Sequence, residues 1–406
     1  MILGAGRDQV PLIIDAKDYG LETVVVSCDG NYPGFDIADH CYKVDIKDKN
    51  TVLSIAENED LIAIYSPLEM GVPTAAYVSD KLGLPSIGYD TAVKFTNKYV
   101  MRKEAAQIGI NIPEYSTATS LNEAMDVSNK IGFPLIIKPV DNSASRGVYK
   151  VNNCEEMKSM FPKSIKYSTV GRVLIERFIY GQEFCVNGFA YDYDYMNLVI
   201  GEIDNYDLQN KFIARSSVFI DARSCNDTVE KRILNINSHI VKNFKLKYGI
   251  TYAEYIYEEL TDKIYLVEIA AISGGMFITS DLIPLATGVN VHKYLFDYFS
   301  GKTINSSLNS GKGASAYYSF LAPPGVIVNT RNNIDNIKNI TGVYGIHLDG
   351  IYNGRVLGEL KDKSSRLGPV LVYGNNREEC YRIIEEVKRE LIIEVKTQNG
   401  IENIYW

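Results

Sequence analysis

The sequence predicts a mixed α/β and α+β chain in three parts, and three observations lead there. Strand, helix and strand alternate over residues 1–95, the cadence of a parallel sheet covered by helices. Strand-like runs at hairpin spacing fill residues 96–300, which implies an α+β body with antiparallel sheet. After residue 301 the polar stretch "GKTINSSLNSGKG" breaks the chain, and short strands with one long amphipathic helix follow to residue 406.

The first part opens with "MILGAG", a short apolar strand ending in glycines. "DQVPLIIDAKDYG" has helical spacing and stops at Gly20; "ETVVVSCD" is a β-branched strand bounded by Asp29-Gly30. "LIAIYSP" reads as another strand ahead of the helix "PTAAYVSDKLG". In the second part "NKYVMRKEAAQIG" is a helix closed by Gly109, and "NIPEYSTATS" reads as a linker. "FPLIIKPV", "RVLIERFI", "EFCVNGFAYD", "TYAEYIYEEL" and "KIYLVEIAA" read as strands. The third part holds "GVIVN", "GPVLVYG" and the helix "NREECYRIIEEVKRELI", and no segment repeats.

Composition excludes several functions. The chain is 46% hydrophobic and 23% charged with a net charge of −8, and no basic block suggests a nucleic-acid surface. No apolar run approaches the ~18 residues of a membrane helix. "MILGAGRDQV" lacks a basic leader before an apolar core, so a cytoplasmic protein is expected. Six scattered cysteines without a C-x-x-C pair read as free thiols. Four histidines without an H-x-x-x-H pair argue against a zinc enzyme or a histidine triad.

Four stretches carry chemistry. "GAGRDQ" after the first strand invites a dinucleotide reading, but Gln9 stands where a third glycine is needed and Asp8 would face a pyrophosphate. A tight turn at a sheet edge is the favoured reading of Gly4 and Gly6. In "TYAEYIYEELTDKIYLVEIA" a turn centred on Thr261 opposes Glu254 and Glu268 on adjacent strands. Opposed carboxylates repel, and a hard divalent cation is the usual remedy; in another register Glu254 faces solvent. In "FPLIIKPVDNSASRGVYKV", Lys138 closes an apolar strand ahead of a small-residue loop at 143–147, which suits an anion. The bland alternative is a lysine snorkelling at a strand end. Glu176 and Glu183 flank a short apolar link with Gly181; they suit a base and a ribose, or are simply two solvated acids.

Together "ILGAGRDQVPLIIDAKDYG", "YPGFDIADHCYKVDIKD", "FTNKYVMRKEAAQIGINIPEY", "IIKPVDNSASRGVYKV", "ERFIYGQEFCVNGF", "YLVEIAAISGGMFITSDLIPLATGVN" and "SSRLGPVLVYG" resemble the ATP-grasp superfamily. The likeness is to its carboxylate–amine ligases: phosphoribosylglycinamide synthetase-like proteins, L-amino acid ligases and carbamoyl phosphate synthetase-like chains. The resemblance implies an ATP-grasp fold: a pre-ATP-grasp α/β domain (1–95), an ATP-grasp domain (96–300) with a mobile lid at about 112–175, and a small C-terminal domain (301–406).

It further implies ATP and Mg²⁺ as cofactors. Lys98 and Lys138 would hold phosphates, with Ser143, Ser145, Arg146 and Gly147 closing over them. Glu176 and the backbone of Arg177 and Phe178 would line the adenine pocket, Glu183 would take the ribose, and Glu254 and Glu268 the metal. The implied reaction activates a small carboxylic acid as an acyl phosphate that an amine attacks, and dimers are common among the look-alikes.

Three positions depart from the pattern. Ala144 replaces the glycine usual in the loop 143–147, a change expected to stiffen it. Ala270 replaces an asparagine, as in a subset of relatives. Ile272 stands where an arginine is expected to steady a carboxylate or the transferring phosphoryl group. Lys211 and Arg215 are the expected catalytic substitutes, with Arg146 and Arg366 as further candidates. An ATP-binding homologue with weak or altered ligase activity is the alternative. A dinucleotide-dependent oxidoreductase is a third reading, against which Gln9 stands.

Overall fold

A computed structural model describes residues 1–206, 208, 212–304, 311, 313–332, 334–360 and 362–406. Strands Ile2–Leu3, Val24–Ser27 and His40–Lys43 form a parallel sheet, with Ile2 opposite Val25 and Val24 opposite His40. Every residue of Val24–Ser27 is buried, as expected for a parallel strand covered on both faces. The strand expected at "LIAIYSP" shrinks to one parallel bridge between Ile2 and Tyr65. Helices Val10–Asp18, Lys49–Ala56 and Val72–Leu82 accompany this sheet.

The stretch expected to be a linker contributes a strand, Tyr115–Ala118, to a four-stranded sheet. It pairs antiparallel with Val173–Arg177, which pairs with Leu135–Pro139 and then Tyr149–Val151. Helices Leu121–Ile131 and Cys154–Ile165 cover this sheet over Ala124, Leu135, Ile137, Met157 and Phe161.

The body is an antiparallel eight-stranded sheet. Its order is Lys263–Ala270, Tyr248–Glu258, Gln182–Tyr191, Asp194–Asn205, Ala214–Asp221, Ala314–Phe320, Leu367–Gly374 and Val343–Ile346. The last three strands lie beyond residue 301. The ladder from Ser216 opposite Tyr318 to Ile220 opposite Ala314 therefore crosses the expected domain division. A second sheet (Val356–Leu357, Gly325–Asn332, Leu391–Thr397, Gly400–Asn403) and the helix Arg377–Glu390 complete this end.

Side chains alternate across the large sheet. Phe184, Val186, Ile200, Ala253, Leu266 and Ile269 share a core with the helix Thr228–Asn243. The other face presents Glu183, Ile203, Glu254 and Ile256 towards the four-stranded sheet. No helix among the described residues is long and apolar enough to cross a membrane.

Candidate functional site

Between the four-stranded sheet and the large sheet lies a cavity lined by Lys98, Lys138, Ser145, Glu176, Arg177, Phe178, Glu183, Glu254 and Glu268. Nine of the residues singled out from the sequence thus meet in one place. Arg102, Asn142, Asn205, Phe212 and Lys363 join them without having been expected there.

Glu268 reaches the cavity because of a β-bulge. Tyr255 pairs with Leu266, but Glu254 pairs with Glu268, so one extra residue, Val267, is inserted opposite. Leu266 and Ile269 belong to the far core, while Val267 and Glu268 both line the cavity. Bulges near sites re-aim side chains in this way. The bulge carbonyl of Val267 accepts a hydrogen bond from Arg102 Nη2 at 2.6 Å.

Lys98 opens the helix Lys98–Gln107, which Asn97 caps by accepting from the N–H groups of Tyr99 and Val100. Its ammonium is buried, and it donates to Glu268 Oε1 at 2.5 Å and to the Asn142 carbonyl at 2.7 Å. Glu69 of the N-terminal domain lies 3.7 Å away. Burial alone would lower the Lys98 pKa, but Glu268 and Glu69 outweigh it and hold the ammonium above its usual range. Burial raises Glu69 to about 8, against the pull of Lys98. Glu268 is held below the usual carboxylate range: burial opposes this, and Lys98 and Lys138 prevail.

One helical turn on, Arg102 is fully buried and its Nε donates to Glu176. Lys138 contacts the other oxygen of the same carboxylate at 2.6 Å. Burial works against the charge on Glu176, yet Arg102 and Lys138 bring its pKa down to about 2. Burial lowers the pKa of Lys138, and Glu176 only partly restores it. The acid expected beside a base is therefore committed to two cations. The N–H groups of Arg177 and Phe178 donate to the carbonyls of Glu114 and Pro134. Around them Ile136, Val148, Phe178, Ile203, Phe212 and Ile256 make an apolar slot.

In the loop 143–147, Ala144 and Ser145 both adopt left-handed backbone at φ 58°. For residues with a Cβ that conformation stores strain, which concentrates at ligand clamps. Arg146 turns back on the loop, with its Nε donating to the Ser143 carbonyl at 3.2 Å and its Nη2 to Ser143 Oγ at 3.4 Å. The Gly147 carbonyl accepts from Ser164 Oγ at 2.7 Å.

Glu254 accepts from the Tyr252 hydroxyl at 2.9 Å and pairs with Lys363 at 3.4 Å. Burial, and then Glu254, raise the Glu183 pKa. No cluster of three metal-ligating side chains exists among the described residues. Two opposed carboxylates without a full cage fit Mg²⁺ that takes its remaining oxygens from a phosphate chain.

Of the expected substitutes for an arginine at 272, Lys211 lies outside the described residues. Arg215 follows Ala214, which lines the cavity, at an irregularity in the pairing with Asp194–Asn205, and is not itself among the lining residues. Its guanidinium holds the Asp204 carboxylate and donates to the Trp406 carbonyl at 3.2 Å, so the structure does not bring it to the cavity. Ile272 packs with Val72, Ala76 and Ala92. Arg102 and Lys363 escaped the sequence reading. The first had a signal in its four-residue spacing from Lys98, whereas the second, on a distant loop, had none.

At the N-terminal loop Gly4 takes φ +131°, where a Cβ would meet Leu68 Cδ1 at 2.8 Å. Gln9 is buried against Gly6, in keeping with a tight turn. A larger cavity of about 320 Å³ lies between the N-terminal sheet and helix Val291–Phe299, and holds none of the candidate residues.

Residues 105–290 match the family model "D-ala D-ala ligase C-terminus". The chain is 30% identical over 184 residues to a formate-dependent phosphoribosylglycinamide formyltransferase of Methanocaldococcus jannaschii, covering 44% of this chain and 47% of that protein. It thus spans about half the length of that relative. An L-arginine-specific L-amino acid ligase of Bacillus subtilis is 22% identical over 362 residues, 87% of this chain and 86% of the other. The crystal structure of an L-amino acid ligase from Bacillus licheniformis superposes with a TM-score of 0.81 at 18% identity, covering 98% of each chain. With a four-stranded and an eight-stranded sheet enclosing a lysine- and glutamate-lined cavity, the chain has an ATP-grasp fold, shared with that L-amino acid ligase structure.

Proposed function

We propose that the chain is an ATP- and Mg²⁺-dependent ligase that activates a small carboxylic acid as an acyl phosphate and joins it to an amine. The observation that carries this reading is the Glu254–Glu268 pair, set by a bulge at the end of a cavity whose other walls supply Lys98 and Lys138. Glu254 and Glu268 would hold Mg²⁺, which when bound neutralises phosphate charge.

In the reaction a carboxylate oxygen of the substrate bonds to the γ-phosphorus while the bond to the β,γ-bridging oxygen breaks, and its electron pair leaves with ADP. The amine then attacks the acyl carbon, inorganic phosphate departs, and the amine loses a proton. Such transfer needs positioning and charge neutralisation more than covalent help. Lys98 and Lys138 supply fixed charge to the phosphates, the apolar slot receives the base, and Glu183 faces the ribose. The loop 143–147 closes over the chain of phosphates and keeps water from the acyl phosphate. Relatives named for ligation to L-arginine and for phosphoribosylglycinamide chemistry support the class of substrate, an amino acid or other small acid with an amine.

Incubation with Mg-ATP, hydroxylamine and a panel of small acids tests this. A hydroxamate with one acid, matched by ADP release, is the expected result. ATP binding without hydroxamate or ADP release for any acid would favour the second reading, a nucleotide-binding homologue with weak or altered ligase activity, which Ile272 motivates.

A further inference from the structure

Among the described residues three lysines reach the cavity, and they are not equally committed. Lys98 and Lys138 are almost wholly buried and contact carboxylates at 2.5 and 2.6 Å. Lys363 is 26% exposed and its pair with Glu254 is longer, at 3.4 Å. Partly exposed pairs of that length contribute little, so of these three lysines Lys363 is the one most readily released to an arriving anion.

It is also held in place. The short turn Lys363–Ser365 is capped by Asp362, which accepts from the Ser364 N–H. Arg366 Nε donates to the Lys363 carbonyl at 3.0 Å and Nη1 to the Ala214 carbonyl at 3.3 Å. Arg366 thereby buckles the turn onto the large sheet beside the cavity. The turn lies outside the 105–290 stretch that the family model matches.

We propose that Lys363 binds the terminal phosphoryl group of the nucleotide, supplied to the site by the C-terminal segment and resting on Glu254 until that group arrives. Its charge then stands at the reacting end, where Ile272 brings none. Arg366 is a positioning residue for it. The proposal rests on the nucleotide-site reading above.

The test is titration calorimetry of the full chain with Mg²⁺ and either AMP-PNP or ADP, for wild type, Lys363→Met and Lys363→Arg. A charge-assisted contact to one phosphoryl group is worth about 10- to 100-fold in affinity. Lys363→Met should weaken AMP-PNP binding by about that much and leave ADP within about twofold, and Lys363→Arg should restore most of the loss. An unchanged AMP-PNP affinity in Lys363→Met, with both nucleotides bound by wild type, would overturn the proposal and leave the nucleotide site standing. An equal loss for both nucleotides that Lys363→Arg does not repair would also overturn it, by showing a structural role. If wild type binds neither nucleotide, the nucleotide-site reading fails and carries this proposal down with it.

Discussion

Lys98 Nζ and Glu268 Oε1 are 2.5 Å apart in space and 170 residues apart in the chain. A candidate phosphate ligand and a candidate metal ligand thus neutralise each other before any substrate arrives. Nucleotide and metal would have to separate them together, the lysine turning to phosphate and the carboxylate to cation.

Coupling between metal and nucleotide is the first consequence. In wild type, ATP should bind at least tenfold tighter with Mg²⁺ than with EDTA. Glu268→Gln should release Lys98, tighten metal-free ATP binding several-fold and remove most of the Mg²⁺ enhancement. Calorimetry with and without EDTA measures both. Weaker metal-free binding in the variant would contradict this exchange.

Glu176 should act as a pH-dependent clamp. Its carboxyl titrates at about 2 in the folded chain against 4.5 ordinarily. A depressed carboxylate stabilises the fold above the unfolded value, and that stability disappears as pH falls from about 4.5 towards 2. Removing one partner of a buried ion pair costs roughly 3 to 5 kcal/mol. Glu176→Gln should therefore melt several degrees lower at pH 7, with the gap to wild type narrowing below pH 4.5. Melting curves across pH 3 to 7 decide it, and a gap that widens at low pH would refute it.

Arg215 should matter to folding more than to turnover. Arg215→Ala deletes its hold on Asp204 and on the Trp406 carbonyl. A lower melting temperature with ADP release within about fivefold of wild type is expected. A loss of a hundredfold or more at unchanged stability would place Arg215 at the reacting centre after all.

Restoring an arginine at 272 should not help. Ile272 lies against Val72, Ala76 and Ala92, an apolar corner. Ile272→Arg should cost about 1 to 3 kcal/mol through overpacking and desolvation and give no gain in hydroxamate. A gain would mean that the new guanidinium escapes the corner and reaches the cavity.

The site was more legible than the connections that build it. Counting seven residues either side of Thr261 opposes Glu254 and Glu268, and the ladder pairs them. The count succeeds for a reason it did not contain: the hairpin turns slightly earlier, around Glu259–Thr261, and the bulge at Val267 makes up the difference. Tyr115–Ala118 passed for linker because four small or polar residues carry no apolar alternation, and only its partner Val173–Arg177 makes it a strand. The break in composition after residue 301 does not interrupt the large sheet, since strand pairing across it is a long-range property that local pattern does not encode. Lys363 is missed for the same cause, because it acquires meaning only from a contact far along the chain.

The shared eight-stranded sheet has a practical consequence for recombination among relatives. A crossover near residue 301 would look conservative on a map of modules, yet it would exchange three strands of the large sheet and the Lys363 side chain that lines the cavity. Such a chimera takes from its donor the turn at 363, and with it whatever side chain that donor sets beside Glu254. Breakpoints that keep Ala214–Asp221 with its own Ala314–Phe320 partner would preserve both.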